Sequence, residues 1–349
     1  MSEHEHEDGH EPGHGHGRGR EREVVVVTGA TKGVGRAVAE RFAREGASVA
    51  LLARGREGLR RTAHEVQRLG GTALELPTDV ADYDAVDAAA AATEEALGPI
   101  DVWVNDAMTT VFSFFQDIDP DEFKRATEVT YLGSVWGTRA ALQRMRPRDR
   151  GVIVQVGSAM AYRGIPLQSP YCGAKHAMKG FFESLRSELR HEGSGVRVSM
   201  VQLPGLNTPQ FDHCRCNMDR EPMPVPPIYQ PEVAADAVYF AAHHNRRQVW
   251  VGAPTVYTIL GERLAPWLGD WYMAKTGVGS QLTERPLSPP REGNLFDPVD
   301  EPRDAHGDFD QLAHARSTVL WLSKHRRAAG MAGAGAALSL AALAAAARS

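Results

Sequence analysis

Three polar residues near the middle of the chain, Ser158, Tyr171 and Lys175, have side chains that could together move a proton. Tyr171 and Lys175 stand four positions apart in a segment with helical periodicity, so their side chains share one face of a helix. A tyrosine hydroxyl, with a pKa of about 10, works near neutral pH only if its anion is stabilised, and a neighbouring ammonium group does this. Ser158 could hold a substrate oxygen while charge changes on that atom. Many helices carry a Tyr and a Lys at this spacing, so the prediction depends on what accompanies them.

A glycine-rich segment near the start of the chain predicts a nucleotide site. The β-branched run at residues 24–27 is typical of a strand buried on both faces, and the segment Thr28-Gly29-Ala30-Thr31-Lys32-Gly33-Val34-Gly35 follows it. Residues 36–45 then place apolar residues at helical spacing before Gly46. In a strand–turn–helix unit of this kind, backbone N–H groups and the helix N-terminus receive a pyrophosphate, and the glycines allow close approach because they lack a Cβ.

Strand and helix patterns alternate from this segment onward. Such alternation predicts an α/β fold: a single Rossmann-type, doubly wound parallel sheet with helices on both faces, spanning residues 23–260. The other predicted strands are 48–52, 72–76, 101–105, 151–156, 196–203 and 249–251, and the other predicted helices are 57–69, 82–97, 121–145, 171–191 and 231–242.

The two ends of the chain have a different composition. Residues 1–22 are rich in His, Gly and Glu and are expected to be a disordered head, while residues 261–327 are a Pro- and charge-rich extension with an extended arm at 281–310. Residues 328–349 form an alanine-rich tail. Its uncharged run, 328–347, follows a basic cluster and is long enough to cross a bilayer as a helix. The alternatives are membrane contact through this run or a frayed helix that alanine favours.

Composition and charge restrict the class of protein. The chain has 349 residues and a net charge of −5, and no basic face of the kind that binds nucleic acid. Its cysteines, Cys172, Cys214 and Cys216, form no disulfide framework, and no secretory leader opens the sequence, so we expect a reduced, cytoplasmic protein. Residues 213–216 include a histidine and two cysteines, but no second ligand pair stands at zinc spacing, so no metal site is predicted.

Taken together, these motifs resemble the classical short-chain dehydrogenase/reductase (SDR) family over residues 23–260. Ser158, Tyr171 and Lys175 match the family's catalytic residues, and the glycine-rich segment matches its cofactor turn. The resemblance also implies contacts to the adenine from Asp79 and Val80 and to the nicotinamide end from the segment 204–208. The residues expected to bind cofactor are Gly29, Thr31, Lys32, Gly33, Val34, Gly35, Arg54, Asp79, Val80, Asn105, Ala107, Tyr171, Lys175, Pro204 and Thr208.

The resemblance implies an oxidoreductase that transfers a hydride between a nicotinamide cofactor and an alcohol or carbonyl substrate. Tyr171 would be the general acid/base, Lys175 would lower its pKa and bind the ribose, and Ser158 would polarise the substrate oxygen. It also implies a homodimer or homotetramer built through the helices at 121–145 and 171–191. Two alternatives stay open: an epimerase or carrier-bound ketone reductase of the same family, and a nucleotide-binding sensor or scaffold without turnover.

The residues after the second predicted strand indicate which cofactor is preferred. An acidic residue there would bind the ribose 2′-hydroxyl of NAD and repel a phosphate. This chain has Ala53 and Arg54 instead, and the glycine turn carries Lys32, so two cations and no acid favour NADP over NAD. The alternative is that both cations are ordinary surface charges.

Two positions depart from the family pattern. Thr130 stands where the family has an asparagine that holds a water for the lysine, so a proton relay there is not assured. Asp106 and Met108 replace the Asn and Gly expected around Ala107, which puts the geometry of that loop in doubt. Residues 209–230 are rich in proline, with Phe211, and predict an apolar lid over a substrate of some size. Met160, Tyr162 and Gln168 are candidates for the same pocket.

Overall fold

The computed structural model describes residues 22–299 and 302–326. The tail run at 328–347 and nearly all of the head lie outside these residues, so their predicted properties stay predictions. Within the described residues, no helix has both the length and the apolar character needed to cross a bilayer.

A seven-stranded parallel sheet forms the centre of the molecule, in the order β11-β7-β6-β4-β1-β2-β3. Four valines and a threonine make the central strand β1, and all five residues are buried, as expected for a strand covered on both faces. The strand bounds are β1 Val24–Thr28, β2 Ser48–Ala53, β3 Thr72–Pro77, β4 Val102–Asn105, β5 Val111–Phe112, β6 Val152–Ser158, β7 Arg197–Leu203, β8 Arg215–Cys216, β9 Arg220–Pro222, β10 Ile228–Tyr229, β11 Gln248–Trp250, β12 Leu282–Pro286 and β13 Ala313–His314.

Helices cover both faces of this sheet, which confirms the predicted Rossmann-type fold. One apolar core lies between the sheet and α1, α2 and α8, and a second lies between the sheet and α3, α5 and α6. The helix bounds are α1 Gly33–Ala43, α2 Arg56–Arg68, α3 Tyr83–Leu97, α4 Pro120–Thr127, α5 Gly133–Met145, α6 Ser169–His191, α7 Gln210–His213, α8 Pro231–His243, α9 Gly252–Leu264, α10 Pro266–Thr276 and α11 Thr318–Lys324.

The strand order reverses between β1 and β4. In an open parallel sheet, connections leave in opposite directions at such a point and create a crevice at the carboxyl ends of the strands. The Thr28 hydroxyl joins the two strand ends, because it accepts hydrogen bonds from the backbone N–H groups of Asp106 at 3.0 Å and Ala107 at 3.1 Å. The glycine turn and the loop after β4 are therefore held side by side.

The single long helix predicted at 121–145 is interrupted. Between α4 and α5 the chain makes a π-helical turn, Glu128–Leu132. Its buried Thr130 hydroxyl donates to the carbonyl oxygen of Thr109 at 2.9 Å and accepts from the N–H of Thr109 at 3.0 Å. This exchange with a neighbouring loop stabilises the wider turn, and helical periodicity in the sequence does not reveal it.

The C-terminal extension packs against the sheet domain. Helix α9 runs across residue 260, where a boundary was predicted, and α10 follows it. Strand β12 pairs with β9, and β13 pairs with β10. The predicted arm therefore lies along the segment 209–230 instead of extending into solvent.

Candidate active site

The glycine turn after β1 forms a cradle that a side chain would fill. Gly29 has a φ of +70°, and a Cβ on it would lie 2.8 Å from Cα of Ala107. Gly33 has a φ of +56°, and a Cβ there would lie 3.2 Å from Cβ of Thr208. Only glycine combines this left-handed backbone with such close approach. The turn and the N-terminus of α1 thus fit the pyrophosphate of a dinucleotide.

Gly35→Ala is expected to disrupt this turn. An added Cβ would overlap the Gly29 carbonyl oxygen and lie 2.8 Å from Oδ2 of Asp106. We expect a lower melting temperature and an affinity for NADPH weaker by at least about tenfold, because one of these contacts is with backbone that cannot rotate away. Thermal unfolding and cofactor titration measure both effects. The matched control is Gly261→Ala on α9, where nothing lies within 4 Å of the added Cβ; equal behaviour of the two variants would contradict the cradle.

Most of the residues predicted to bind cofactor line one cleft at the carboxyl ends of β1, β2 and β4. Asn105 does not line it. Its buried amide accepts from Nε1 of Trp103 at 2.8 Å and donates to Ser134 and Thr138, so it joins β4 to α5. The predicted residues that line the cleft are Gly29, Thr31, Lys32, Gly33, Val34, Arg54, Asp79, Val80, Ala107 and Thr208.

The three residues predicted to be catalytic come together beside this cleft. Ser158 ends β6, while Tyr171 and Lys175 lie on α6, and all three line a smaller cavity together with Pro204. The Tyr171 hydroxyl is within reach of the Ser158 side chain. The Lys175 ammonium donates to the Val156 carbonyl at 2.7 Å and lies 5.4 Å from the centre of the Tyr171 ring.

Burial sets the protonation of this group. It raises the pKa of Tyr171 above its ordinary value, and it lowers the pKa of Lys175 to about 8. The hydrogen bond from Ser158 works in the opposite direction and lowers the pKa of Tyr171. Tyr171 therefore rests in its neutral form, which has a proton that it could donate.

Asp106 also belongs to this group, although the sequence analysis treated it only as a departure in a loop. Its carboxylate lies beside Gly35 in the first turn of α1, and it lines both the cleft and the smaller cavity. Burial raises the pKa of Asp106 to about 7, and the positive charge of Lys175 opposes that rise. In the sequence, the only indication of this role was that an acid replaces the amide expected from the family pattern.

Asp106→Asn is expected to change how stability depends on pH. Because the folded pKa of about 7 lies above the ordinary value of about 3.9, the folded protein binds this proton more tightly than the unfolded chain does. The resulting stabilisation is complete below about pH 4 and is lost as the pH rises through about 7. An amide does not titrate, so the variant should gain on the order of 4 kcal/mol over wild type at pH 8 relative to pH 4.

Urea unfolding at pH 4 and pH 8 measures this difference. Glu95→Gln on α3 is the control, because it also neutralises an acid, at an exposed position. A difference between wild type and Asp106→Asn that is the same at both pH values would contradict a raised pKa at Asp106.

The C-terminal arm crosses the cleft at the two cations that the sequence assigned to a 2′-phosphate. The Arg54 guanidinium donates to the carbonyl oxygens of Asn294, Leu295 and Phe296. Lys32 donates to the Val299 carbonyl at 2.6 Å. Asn294, Pro298 and Val299 thus complete the wall of the cleft, and sequence reasoning missed them.

Apolar side chains also line the smaller cavity that contains Ser158, Tyr171 and Lys175. Gln168 and Met160 line it, as predicted, but Tyr162 does not: its hydroxyl donates to Oε1 of Gln248, 2.9 Å away. Other apolar residues that line it include Met108, Leu203, Leu206, Phe211, Pro224 and Val225. Among residues 22–299 and 302–326, no group of three or more His, Cys, Asp or Glu residues is placed to hold a metal ion.

Comparison with known proteins defines the class. The family model for short chain dehydrogenases matches residues 23–218. The uncharacterized oxidoreductase YxnA of Bacillus subtilis (strain 168) is 34% identical over 276 residues, which are 78% of this chain and 78% of that protein. A 3-dehydrosphinganine reductase of Danio rerio is 34% identical over 192 residues, 54% of this chain and 57% of that protein. The chain belongs to the short-chain dehydrogenase/reductase family, as the sequence motifs predicted.

Solved structures are similar over the same domain. A metagenomic short-chain oxidoreductase in complex with NADP is 29% identical, with a TM-score of 0.56 over 66% of this chain and 96% of that chain. A Burkholderia phymatum SDR in complex with NAD has a TM-score of 0.64 over 72% of this chain and 95% of that chain. At 23% identity, the second likeness bears on the fold alone.

Proposed function

We propose that this chain is an NADP(H)-dependent oxidoreductase that interconverts an alcohol and a carbonyl group in a fairly apolar substrate. The observation that carries the proposal is the junction of two cavities. Ser158, Tyr171 and Lys175 line one, the glycine turn lines the other, and Asp106, Val34 and Thr208 line both. A substrate in the first cavity would therefore meet the end of a dinucleotide bound in the second.

Ser158, Tyr171 and Lys175 would each have a separate role in the proposed reaction. Ser158 would donate a hydrogen bond to the substrate oxygen, and Tyr171 would supply the proton that this oxygen needs as its negative charge develops. Lys175, held in place by the Val156 carbonyl, would stabilise the tyrosinate that remains. The nicotinamide cofactor, when bound, supplies or accepts the hydride.

The walls of the two cavities support the substrate class and the cofactor. The apolar lining around Met160 and Phe211 favours a substrate whose carbonyl carries hydrocarbon groups. Lys32 of the glycine turn and Arg54 directly after β2 both line the cleft, so a 2′-phosphate would have two cations available, and Ala53 would place no acid against it. An NADP-bound relative at 29% identity is consistent with this choice.

Oxidation of NADPH, followed by absorbance against a panel of apolar ketones and aldehydes, tests the proposal, with NADH measured alongside. Turnover with NADPH and much less with NADH is the expected result. Tight binding of NADPH without turnover on any member of a broad panel would overturn the proposal and favour a nucleotide-binding sensor. Thr130 bears on that alternative, because its hydroxyl proton is used by the Thr109 carbonyl.

A further inference from the structure

Most of the large apolar side chains that the described residues expose lie on the three helices α9, α10 and α11. On α10 no residue is buried, and Trp267 and Trp271 are 70% and 55% exposed. We call this set the aromatic face. Its members are Tyr257, Leu260 and Leu264 on α9, Trp267, Leu268, Trp271 and Tyr272 on α10, and Trp321 and Leu322 on α11.

Specific contacts on the inner side hold α9 and α10 so that this face points outward. Arg163 binds Glu262 of α9 at 2.9 Å and Asp270 of α10 at 2.6 Å, and so ties the two helices to the loop after β6. Gly269 of α10 lies directly against the Arg163 guanidinium. The large apolar residues that α10 exposes fall at positions 267, 268, 271 and 272, which form one stripe of a helix. Because Arg163 ties α10 to α9 and to the loop after β6, the position of this stripe is fixed.

The chemistry of the face suits a lipid headgroup region. Tryptophan and tyrosine combine an apolar ring with one polar atom and concentrate at the interface between membrane and water. Cations stand among them: Nζ of Lys275 lies 4.5 Å from the Trp271 ring, and Arg263 and Arg326 line a groove beside Leu322. Glu262 and Asp270 are both paired with Arg163, and Glu183, which lines the same groove, is paired with Lys179 and Arg247. Anionic headgroups would be attracted to Lys275, Arg263 and Arg326.

The sequence beyond the face continues the same pattern. Helix α11 carries Trp321 and Leu322 and leads directly into the basic cluster Lys324-His325-Arg326-Arg327. The next twenty residues, 328–347, contain no charged side chain. The part of the aromatic face on α11 and the uncharged run are thus adjacent in the sequence. The basic residues between them are of the kind that flanks membrane segments.

We propose that the aromatic face docks on an anionic lipid bilayer. The rings of Trp267, Trp271 and Tyr272 enter the headgroup region, and Arg263, Lys275 and Arg326 contact the lipid phosphates. The face acts in addition to any contact made by residues 328–347. The proposal concerns where the protein lies and holds whether or not the proposed reaction is correct.

Co-sedimentation of the full chain with vesicles tests the proposal, using phosphatidylcholine alone and phosphatidylcholine with one quarter phosphatidylglycerol. The expected result is binding to the anionic vesicles, a blue shift of tryptophan fluorescence, and weaker binding at high salt. The double variant Trp267→Ser/Trp271→Ser should bind these vesicles at least about tenfold more weakly, because two amphipathic rings are lost. Both residues are solvent-exposed, so its melting temperature should stay close to that of wild type.

The control variant is Phe115→Ser, which removes an aromatic ring that is 72% exposed on the short turn before α4, outside the aromatic face. It should bind vesicles as wild type does. Three results would overturn the proposal: no binding of wild type to anionic vesicles, equal binding by the double variant, or a dimer in light scattering that the double variant converts to a monomer. The second would assign membrane contact to residues 328–347, and the third would assign the face to a second copy of the chain.

Discussion

Replacing Tyr171 by phenylalanine should lower kcat/KM for carbonyl reduction by about a thousandfold, since a positioned general acid contributes roughly 10²–10⁴. The change removes one oxygen atom, the Tyr171 hydroxyl, which is within reach of Ser158 and lies on the helix face shared with Lys175. The dissociation constant of NADPH should change by less than about threefold, because the tyrosine hydroxyl is a small part of the cofactor's contacts. Steady-state kinetics and a fluorescence titration measure the two quantities.

The control for this variant is Tyr83→Phe, which removes an exposed hydroxyl at the start of α3 that contacts Gln143 of α5. It should leave both quantities unchanged. If Tyr171→Phe kept comparable turnover, the proton would come from elsewhere, and Asp106 would be the next residue to test. If it lost cofactor affinity as much as turnover, Tyr171 would be a binding residue instead.

Replacing Arg54 by alanine should weaken the binding of NADPH by about 10- to 100-fold, because a hydrogen bond between charged groups contributes about 1.5–3 kcal/mol. Binding of NADH should change little, since it has no 2′-phosphate for the guanidinium to hold. The measurement is a pair of titrations, one with each cofactor, on wild type and variant. Arg60→Ala, an exposed position on α2 whose partner is Glu57, is the matched control.

The contacts between Arg54 and the C-terminal arm give this second prediction a distinct alternative outcome. Arg54 is bonded to carbonyl oxygens of residues 294–296, so a bound 2′-phosphate must share or displace those contacts. If Arg54 serves only to anchor the arm, its loss should weaken NADH and NADPH equally, because both cofactors then face the same altered wall. An equal loss would contradict the proposed preference for NADP.

The sheet, and the grouping of Ser158, Tyr171 and Lys175 around one cavity, could be predicted because their signals are local. The composition of residues 24–27 alone predicts a buried strand. A backbone position with positive φ, such as that of Gly29, can be predicted because glycine is the residue type that favours it. Once their segment is helical, the spacing of Tyr171 and Lys175 places both side chains on one face of the helix. These features depend on neighbours within a few positions, which a sequence displays directly.

The wall that the arm adds to the cleft could not be predicted in this way. It consists of backbone carbonyls of residues 294–299 meeting Arg54 and Lys32 across more than two hundred positions of sequence. Carbonyls occur at every residue and carry no compositional signal, and the prolines and charges around them indicated an exposed segment. Helix α10 was not predicted either, because its aromatic stripe faces outward, where surface helices normally have polar residues.

Asp106 and Thr130 show a third kind of limit. Each was visible as a departure from the family pattern, but the consequence depended on surroundings that only the fold supplies. For Asp106 these are the N–H of Gly35 and the charge of Lys175, and for Thr130 they are the two backbone atoms of Thr109. The residue types alone left the direction of both effects open.

The most direct test of the proposed reaction follows the hydride itself. The full chain would be given NADPH carrying deuterium on the transferable C4 position, with a ketone that the panel identifies as a substrate, and the product would be analysed by mass spectrometry. We expect one deuterium on the carbinol carbon of the alcohol, because in the proposed reaction Ser158 and Tyr171 would hold the carbonyl where the two cavities join. A reduced product without deuterium, or a product that differs from the substrate only in configuration, would contradict the proposed function.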